Sequence, residues 1–509
     1  MPEVELKLTA DLADLPRIRR ASLEMAGGDR APRMTLVSTY YDTADRRLAR
    51  RRLVLRVRRQ GRRYIQAVKS QDLSGAVAAT RAEWEDVIAG ERPDLSAPNS
   101  GEHLPETIGD HKLLPLFSTE IRRAVVPIRL DASTEIEVVL DEGSVRTAGG
   151  ERSEPICEIE LELKRGDGAA LYELALRLLD VAPLHIEMRT MADRGYQLLD
   201  GAVGPPSPVR ALPVNLTAEM TVEDALQRIG LDCLAMIMRN EPAALADVPE
   251  GVHQMRIAVR RLRSMITAVK RMLSPQDCEW VRLELKWLAG VLGPARNWDM
   301  FSISILAPVK SALLSGGELD RLSRVSEEER LSAHEQAEAA IRSTRYTIAL
   351  LKLSRWFAAC GWRDQPVNEY SALLMAPIGE VAPKLVARLH RKARAAANRF
   401  DELTLKQRHE LRIRIKKLRY TMDVLGSLFS EDEVAKFAQR LKPLQDDLGH
   451  ANDVSVANEL LAGLRVPENP AAIGRAAGVV LGWHDRGLAD HERKLLKHVR
   501  RFRRARSFW

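Results

Sequence analysis

Residues His253-x-x-Arg256-Ile257-x-x-Arg260-Arg261-Leu262-Arg263 return 156 positions later as His409-x-x-Arg412-Ile413-x-x-Lys416-Lys417-Leu418-Arg419. A second pattern, Leu285-Lys286-x-Leu288-x-x-x-Leu292-Gly293-x-Ala295, returns at the same offset as Leu441-Lys442-x-Leu444-x-x-x-Leu448-Gly449-x-Ala451. Two motifs displaced by one interval make the second half of the chain an internal duplication, which restricts it to folds assembled from two related units. On a helix, His253, Arg256, Arg260 and Arg263 fall within about 80° of arc, and Met255, Val259, Leu262 and Ile266 take the opposite side. The second copy keeps both faces: His409, Arg412, Lys416 and Arg419 against Leu411, Ile415, Leu418 and Met422. A cationic stripe kept twice in register points to a surface that meets an anion.

Charge is divided unevenly along the 509 residues. Residues 1–200 hold 30 Lys and Arg against 34 Asp and Glu, leaving 48 against 36 for the rest, so the basic field belongs to the duplicated half. Cys157, Cys233, Cys278 and Cys360 are scattered without a CxxC pair, which argues against a zinc site or a disulfide framework. The opening MPEVELKL lacks the basic and apolar regions of a signal peptide, and no apolar run reaches 18 residues. A cytoplasmic protein with no membrane span is expected.

Up to residue 202 the apolar pattern has mostly period two, as in Leu53, Leu55, Val57 and in Ile159, Leu161, Leu163, and reads as strands. Helical stretches are expected near Leu12 to Met25 and Ala170 to Leu179. Many strands with one polar face predict a curled antiparallel sheet or barrel that encloses that face. Residues 203–216, with Pro205, Pro206, Pro208 and Pro213, make a stiff linker. From 217 to 505 amphipathic helices follow one another, and two related helical bundles packed together account for the duplication. The fold class is therefore α+β, in two domains.

The strands carry the chemistry. Glu3-x-Glu5-x-Lys7 and Glu158-x-Glu160-x-Glu162-x-Lys164 each place charges on one strand face. Aligned carboxylates repel unless a cation lies among them, and oxygen donors without His or Cys suit Mg²⁺ or Mn²⁺. Arg56, Arg58, Lys69, Arg81, Arg122 and Arg194 supply opposing positive charge. Acids on one wall and bases on another suit phosphoryl transfer, which depends on positioning and charge stabilisation.

In order along the chain, ExExK, Tyr40-Tyr41-Asp42-Thr43, Leu55-Arg56-Val57-Arg58, Val68-Lys69, Arg81-x-Glu83, Glu158 to Glu162 and Arg194-Gly195-Tyr196 resemble the CYTH domain of triphosphate tunnel metalloenzymes. The resemblance implies an eight-stranded tunnel in which Glu3, Glu5, Glu158, Glu160 and Glu162 hold a divalent metal, with Asp141 as an added ligand. Lys7, Arg56, Arg58, Lys69, Arg81, Arg122 and Arg194 would grip the triphosphate, and Glu3, Glu5 and Lys7 would carry catalysis. Where members carry Lys in a SKAERGY-like stretch this chain has Met191, and Arg189 is the candidate replacement.

Residues 217–505 resemble the CHAD domain, which implies two pseudo-symmetric four-helix bundles whose basic faces bind inorganic polyphosphate. That resemblance assigns polyphosphate to His253, Arg256, Arg260, Arg263, His409, Arg412, Lys416 and Arg419, and adds polyphosphate granules as a place of association. Hydrolysis of inorganic triphosphate is thus the expected activity. The rivals are a polyphosphate-binding scaffold with a weak tunnel, a hydrolase of an organic triphosphate, and a nucleic-acid binder using the basic half and the tail Lys494 to Arg506.

Overall fold

The alternation in the first two hundred residues becomes strand because its two faces meet different surroundings. In the computed structural model the described residues are 3–28, 30–70, 79–102, 104–201, 205–313, 317–464 and 470–509, with the side chains of Glu3 and of 79–81 outside the description. The strands are β1 (Glu3–Thr9), β2 (Arg33–Thr43), β3 (Leu53–Gln60), β4 (Arg63–Ser70), β5 (Ala79–Arg81), β6 (Glu83–Ile88), β7 (Leu113–Arg129), β8 (Glu135–Thr147), β9 (Ser153–Arg165) and β10 (His185–Ile186). They form one sheet in the order β10-β1-β9-β8-β7-β2-β3-β4-β6, with β5 paired to β1. Only residue 82 separates β5 from β6, so this segment bonds to β1 through one part and to β4 through the other. It thereby brings the two ends of the curled sheet together. Ten strands stand where about eight were expected, because β5 and β10 are pieces of three and two residues.

Leu6, Leu8, Ile159 and Leu161 are fully buried on the face opposite the charges. Helix α1 (Leu15–Ala26) lies against β7 and β8, and α2 (Ala169–Leu179) lies against β1 and β9. Helix α3 (Met191–Asp200) packs on β7, β8 and β9, and its Ala192 joins a core with Tyr40, Phe117, Ile121 and Val145. A Cβ on Gly195 would stand 2.1 Å from the Phe117 ring, so only glycine allows this approach.

The chain divides into two compact units, Met1–Pro205 with Arg342–Gly361, and Pro206–Ile341 with Trp362–Trp509. Residues 217–505 are thus not one uninterrupted body. The helix Thr344–Ala358 packs on α2 of the first unit, with Arg355 Nη2 3.3 Å from Glu173.

In the second unit the first repeat supplies α4 (Val222–Arg239), α5 (Pro249–Val269), α6 (Pro275–Val291), α7 (Gly293–Met300) and α8 (Gly317–Ile341). The second supplies α9 (Ile378–Asn398), α10 (Leu405–Leu425), α11 (Glu431–Gly463) and α12 (Pro470–Arg503). Pro294 occupies the position of His450 in the second copy, and proline has no N–H to continue a helix. Here α6 and α7 are separate, with Pro294 in the first turn of α7, where α11, which contains Pro443, runs on for 33 residues. The two histidine-led helices, α5 and α10, pack on each other with Met255, Leu262, Leu411, Ile415 and Leu418 buried. Trp509 packs on His390 and Phe437. Among the described residues no helix is long and apolar enough to cross a membrane.

Candidate functional site

In the first unit the inward side chains enclose a cavity of about 280 Å³. Period-two alternation turns Glu5 and Lys7 inward from β1, Arg56 and Arg58 from β3, Lys69 from β4, and Glu160 and Glu162 from β9. Arg123 completes the cationic wall. Lys7 pairs with Glu160 and stands 3.7 Å from Glu5. Arg123 binds Asp141 through Nε (2.8 Å) and Nη2 (2.6 Å), and reaches Glu160 at 3.0 Å. Glu83 bridges Arg56 (3.1 Å) and Lys69 (2.8 Å).

Electrostatics separates these groups. Burial alone would raise Glu160, yet Lys7 and Arg123 beside it hold its carboxyl well below the usual range. Burial, reinforced by Arg56 and Arg123, brings the Arg58 guanidinium down to about 10, and its buried Nε has no hydrogen-bond acceptor. Burial and the neighbouring Glu83 push Glu85 up. A cation crowded by other cations in this way gains most from an incoming anion.

Three assignments change. Arg122 points away from the cavity and pairs with Glu142, and its strand neighbour Arg123 takes the inward position. Only one of two consecutive strand residues can face inward. Arg194 does not line the cavity: it is buried on α3, with Nη2 2.9 Å from Glu158, 2.8 Å from Glu187, and Nη1 3.0 Å from Glu154. Residues 191–200 are helix, with Thr190 and Asp193 in a capping box, so Arg189 is not a strand neighbour of Met191. Arg189 is held by Glu187 at 2.8 Å, and Met191 itself lines the cavity. Asp141 is fully buried beneath Arg123. Arg81 and Glu3 pair in register through their backbones, their side chains lying outside the description.

The carboxylates fit a hard divalent cation in kind. Glu5 stands directly opposite Glu162, with Lys164 2.7 Å from Glu162 and Lys7 3.7 Å from Glu5 offsetting part of their repulsion. Glu158 is fully buried, and although Arg194 is near, neither of its oxygens has a hydrogen bond. Burial lifts its carboxyl to about 7, Lys7 and Arg194 notwithstanding. Among the described residues no three such groups converge on one point.

The second unit holds a separate cavity of about 560 Å³ where α5 meets α10. Arg256, Arg260 and Arg296 of the first repeat line it with Arg412, Lys416 and Arg419 of the second. Against six cations it offers two carboxylates, Asp446 and Asp453. Burial, with Arg260 and Arg296 adjacent, brings Arg256 down to about 9. Burial, with Arg412 and Arg260 adjacent, brings the Lys416 amine down to about 7. His253 lines the cavity, depressed to about 4 by burial and Arg296. Arg263 is exposed outside it, and His409 faces a neighbouring groove instead. Sequence reasoning missed Arg296, Tyr420, His450 and Asp453. Arg296, His450 and Asp453 sit in or beside the second repeated motif, so the repeat itself carries the signal that could find them.

The family model described as CYTH domain matches residues 1–196, and the one described as CHAD domain matches residues 228–462. Two uncharacterized proteins of Mycobacterium tuberculosis are 26% identical over 92% of this chain and 90% of their own length. The inorganic triphosphatase of Haemophilus influenzae is 29% identical over 163 residues, 32% of this chain and 46% of that protein. The crystal structure of the CHAD domain from the plant Ricinus communis superposes with a TM-score of 0.50 at 27% identity, covering 58% of this chain and 96% of that one. With both models matched in order, the chain carries a CYTH domain over residues 1–196 followed by a CHAD domain over residues 228–462.

Proposed function

We propose that the first unit hydrolyses inorganic triphosphate with Mg²⁺ or Mn²⁺, and that the helical domain binds inorganic polyphosphate. The observation that supports the first part most is the enclosed cavity in which Lys7, Arg56, Arg58, Lys69 and Arg123 face Glu5, Glu160 and Glu162. Arg56, Arg58, Lys69 and Arg123 take the phosphate oxygens, and their fixed positions replace water as the solvent of the developing charge. Glu5, Glu160 and Glu162, with Glu3, would hold the divalent cation, whereas Glu158 lies outside the cavity lining against Arg194. When bound, that cation supplies neutralisation of the phosphoryl charge. Lys7, between Glu5 and Glu160, keeps the acidic wall from expelling the substrate. The fit to the Haemophilus influenzae inorganic triphosphatase over 163 residues agrees with this substrate.

Phosphate release from inorganic triphosphate with Mg²⁺, with Mn²⁺ and with a chelator tests the reading, and release unaffected by the chelator would refute metal dependence. Leu36, Val54, Ile121 and Met191 line the same cavity and favour a second reading, an organic triphosphate as substrate. Preference for ATP over inorganic triphosphate in the same assay would select it. For the helical domain, six cations with few counter-charges support a polyanion as ligand. Loss of polyphosphate binding on Arg256→Ala with Arg412→Ala is expected.

A further inference from the structure

Beside the cationic cavity lies a groove of about 850 Å³, bounded by α10, α11 and α12, in which four of the chain's eleven histidines gather. They are His409, His450, His484 and His491. The two spaces share Arg412, Asp446, His450 and Asn452 as common wall, so they adjoin each other. Their charges are opposite. The groove offers Arg408 and Arg412 against Asp446, Asp447, Asp485 and Glu492, two net negative charges while its imidazoles are neutral.

The imidazoles are held by specific partners. His484 is buried and its Nε2–H donates to the Ile305 carbonyl oxygen at 2.8 Å, which leaves the Nδ1 lone pair 3.4 Å from His450 Nε2. A proton arriving on His450 Nε2 therefore finds an acceptor already in place. His491 and His498 approach Asp447 at 3.4 Å and 2.6 Å, and Arg408 is held by Glu492 at 3.0 Å. His409 is exposed at the rim. Burial, with His484 beside it and Asp453 and Asp447 opposing, places His450 below the usual imidazole range, so it is neutral in the empty groove at pH 7.

We propose that this groove is an acid-activated extension of the polyanion site: protonation of His409, His450 and His491 turns a wall that repels a phosphate chain into one that holds it. Three protons change the groove from two net negative charges to one net positive charge. The inference rests on the reading that the helical domain binds polyphosphate. A bound phosphate chain favours charged imidazole, so the bound pKa lies above the free one. The added affinity is complete below the free value and is lost as pH rises through the bound value.

The test uses full-length protein and sodium polyphosphate of defined length, titrated at pH 7.5 and 5.5 over a range of salt. Wild type is compared with His409→Gln/His491→Gln and with the triple variant that adds His450→Gln. The double variant leaves the buried His484 and its neighbour untouched, so its fold is not at risk. We expect acidification to tighten wild-type binding about tenfold more than it tightens the triple variant. The salt slope of the wild type should steepen by about two phosphate contacts, with the double variant between. Lys416 is left in place by every variant, and His409 and His491 lie outside the cationic cavity, so the difference between wild type and the double variant reports the groove, whereas His450 lines both spaces. Equal acid responses in wild type and variants, with binding intact, would overturn this inference alone. Absence of binding at both pH values would overturn the polyphosphate reading with it.

Discussion

At the scale of single residues, charged groups are held where the surroundings disfavour their charge, and a ligand is what relieves them. Lys416 is the clearest case, a half-buried amine among Arg412 and Arg260 brought down to about 7. Its lowered pKa means that the unfolded chain binds more protons than the folded one between that value and the ordinary lysine range, so this group's cost is full below pH 7 and disappears as pH rises. Lys416→Met should therefore raise the melting temperature at pH 7, by about 1–2 kcal/mol in stability, while weakening polyphosphate binding. A melt lower than wild type would show that the amine is satisfied by protein groups instead. The pair Arg122 and Arg123 gives a sharper contrast. Arg123→Ala leaves the fully buried Asp141 unpaired, a loss of about 3–5 kcal/mol, with turnover reduced as well. Arg122→Ala should leave both melting and turnover as they are, and equal effects from the two would reverse the assignment of faces.

At the scale of elements, much of the architecture was legible because its signals are local. The repeat located both histidine-led helices and both of their buried faces, since Met255, Val259 and Leu262 recur as Leu411, Ile415 and Leu418. Alternating charge found Glu5, Lys7, Arg56, Arg58, Lys69, Glu160 and Glu162 in one cavity. What escaped depends on non-local contacts. Arg194-Gly195-Tyr196 resembles a ligand-binding stretch, but its residues hold α3 in place: Arg194 ties Glu158 and Glu187, and the Tyr196 hydroxyl donates to Asp42 at 2.9 Å. His409 lies in the neighbouring groove whereas its counterpart His253 lines the cationic cavity, so the two repeats are not equivalent in space. Gly195→Ala tests the packing of α3. Its methyl must displace the Phe117 ring, so a loss of about 1–3 kcal/mol in thermal or denaturant unfolding is expected, and an unchanged melt would contradict the close approach.

At the scale of the whole molecule, the boundary in sequence is not the boundary in space, because Arg342–Gly361 belongs to the first unit. A chain ending at residue 205 lacks the helix Thr344–Ala358 and leaves the surface of α2 bare. Such a fragment should melt lower than the full chain and bind an apolar dye, and a fragment as stable as the full chain would show that this helix is dispensable. The two cavities divide the chemistry: one balances acids against bases in a confined space, and the other presents mostly cations. The central claim is that turnover and polyphosphate binding reside in different parts of one chain. It is tested most directly by one preparation of Glu5→Gln assayed for both, phosphate release from inorganic triphosphate and binding of long polyphosphate. Release is expected to fall to background with polyphosphate affinity equal to that of wild type. Loss of both together, or release at the wild-type rate, would contradict it.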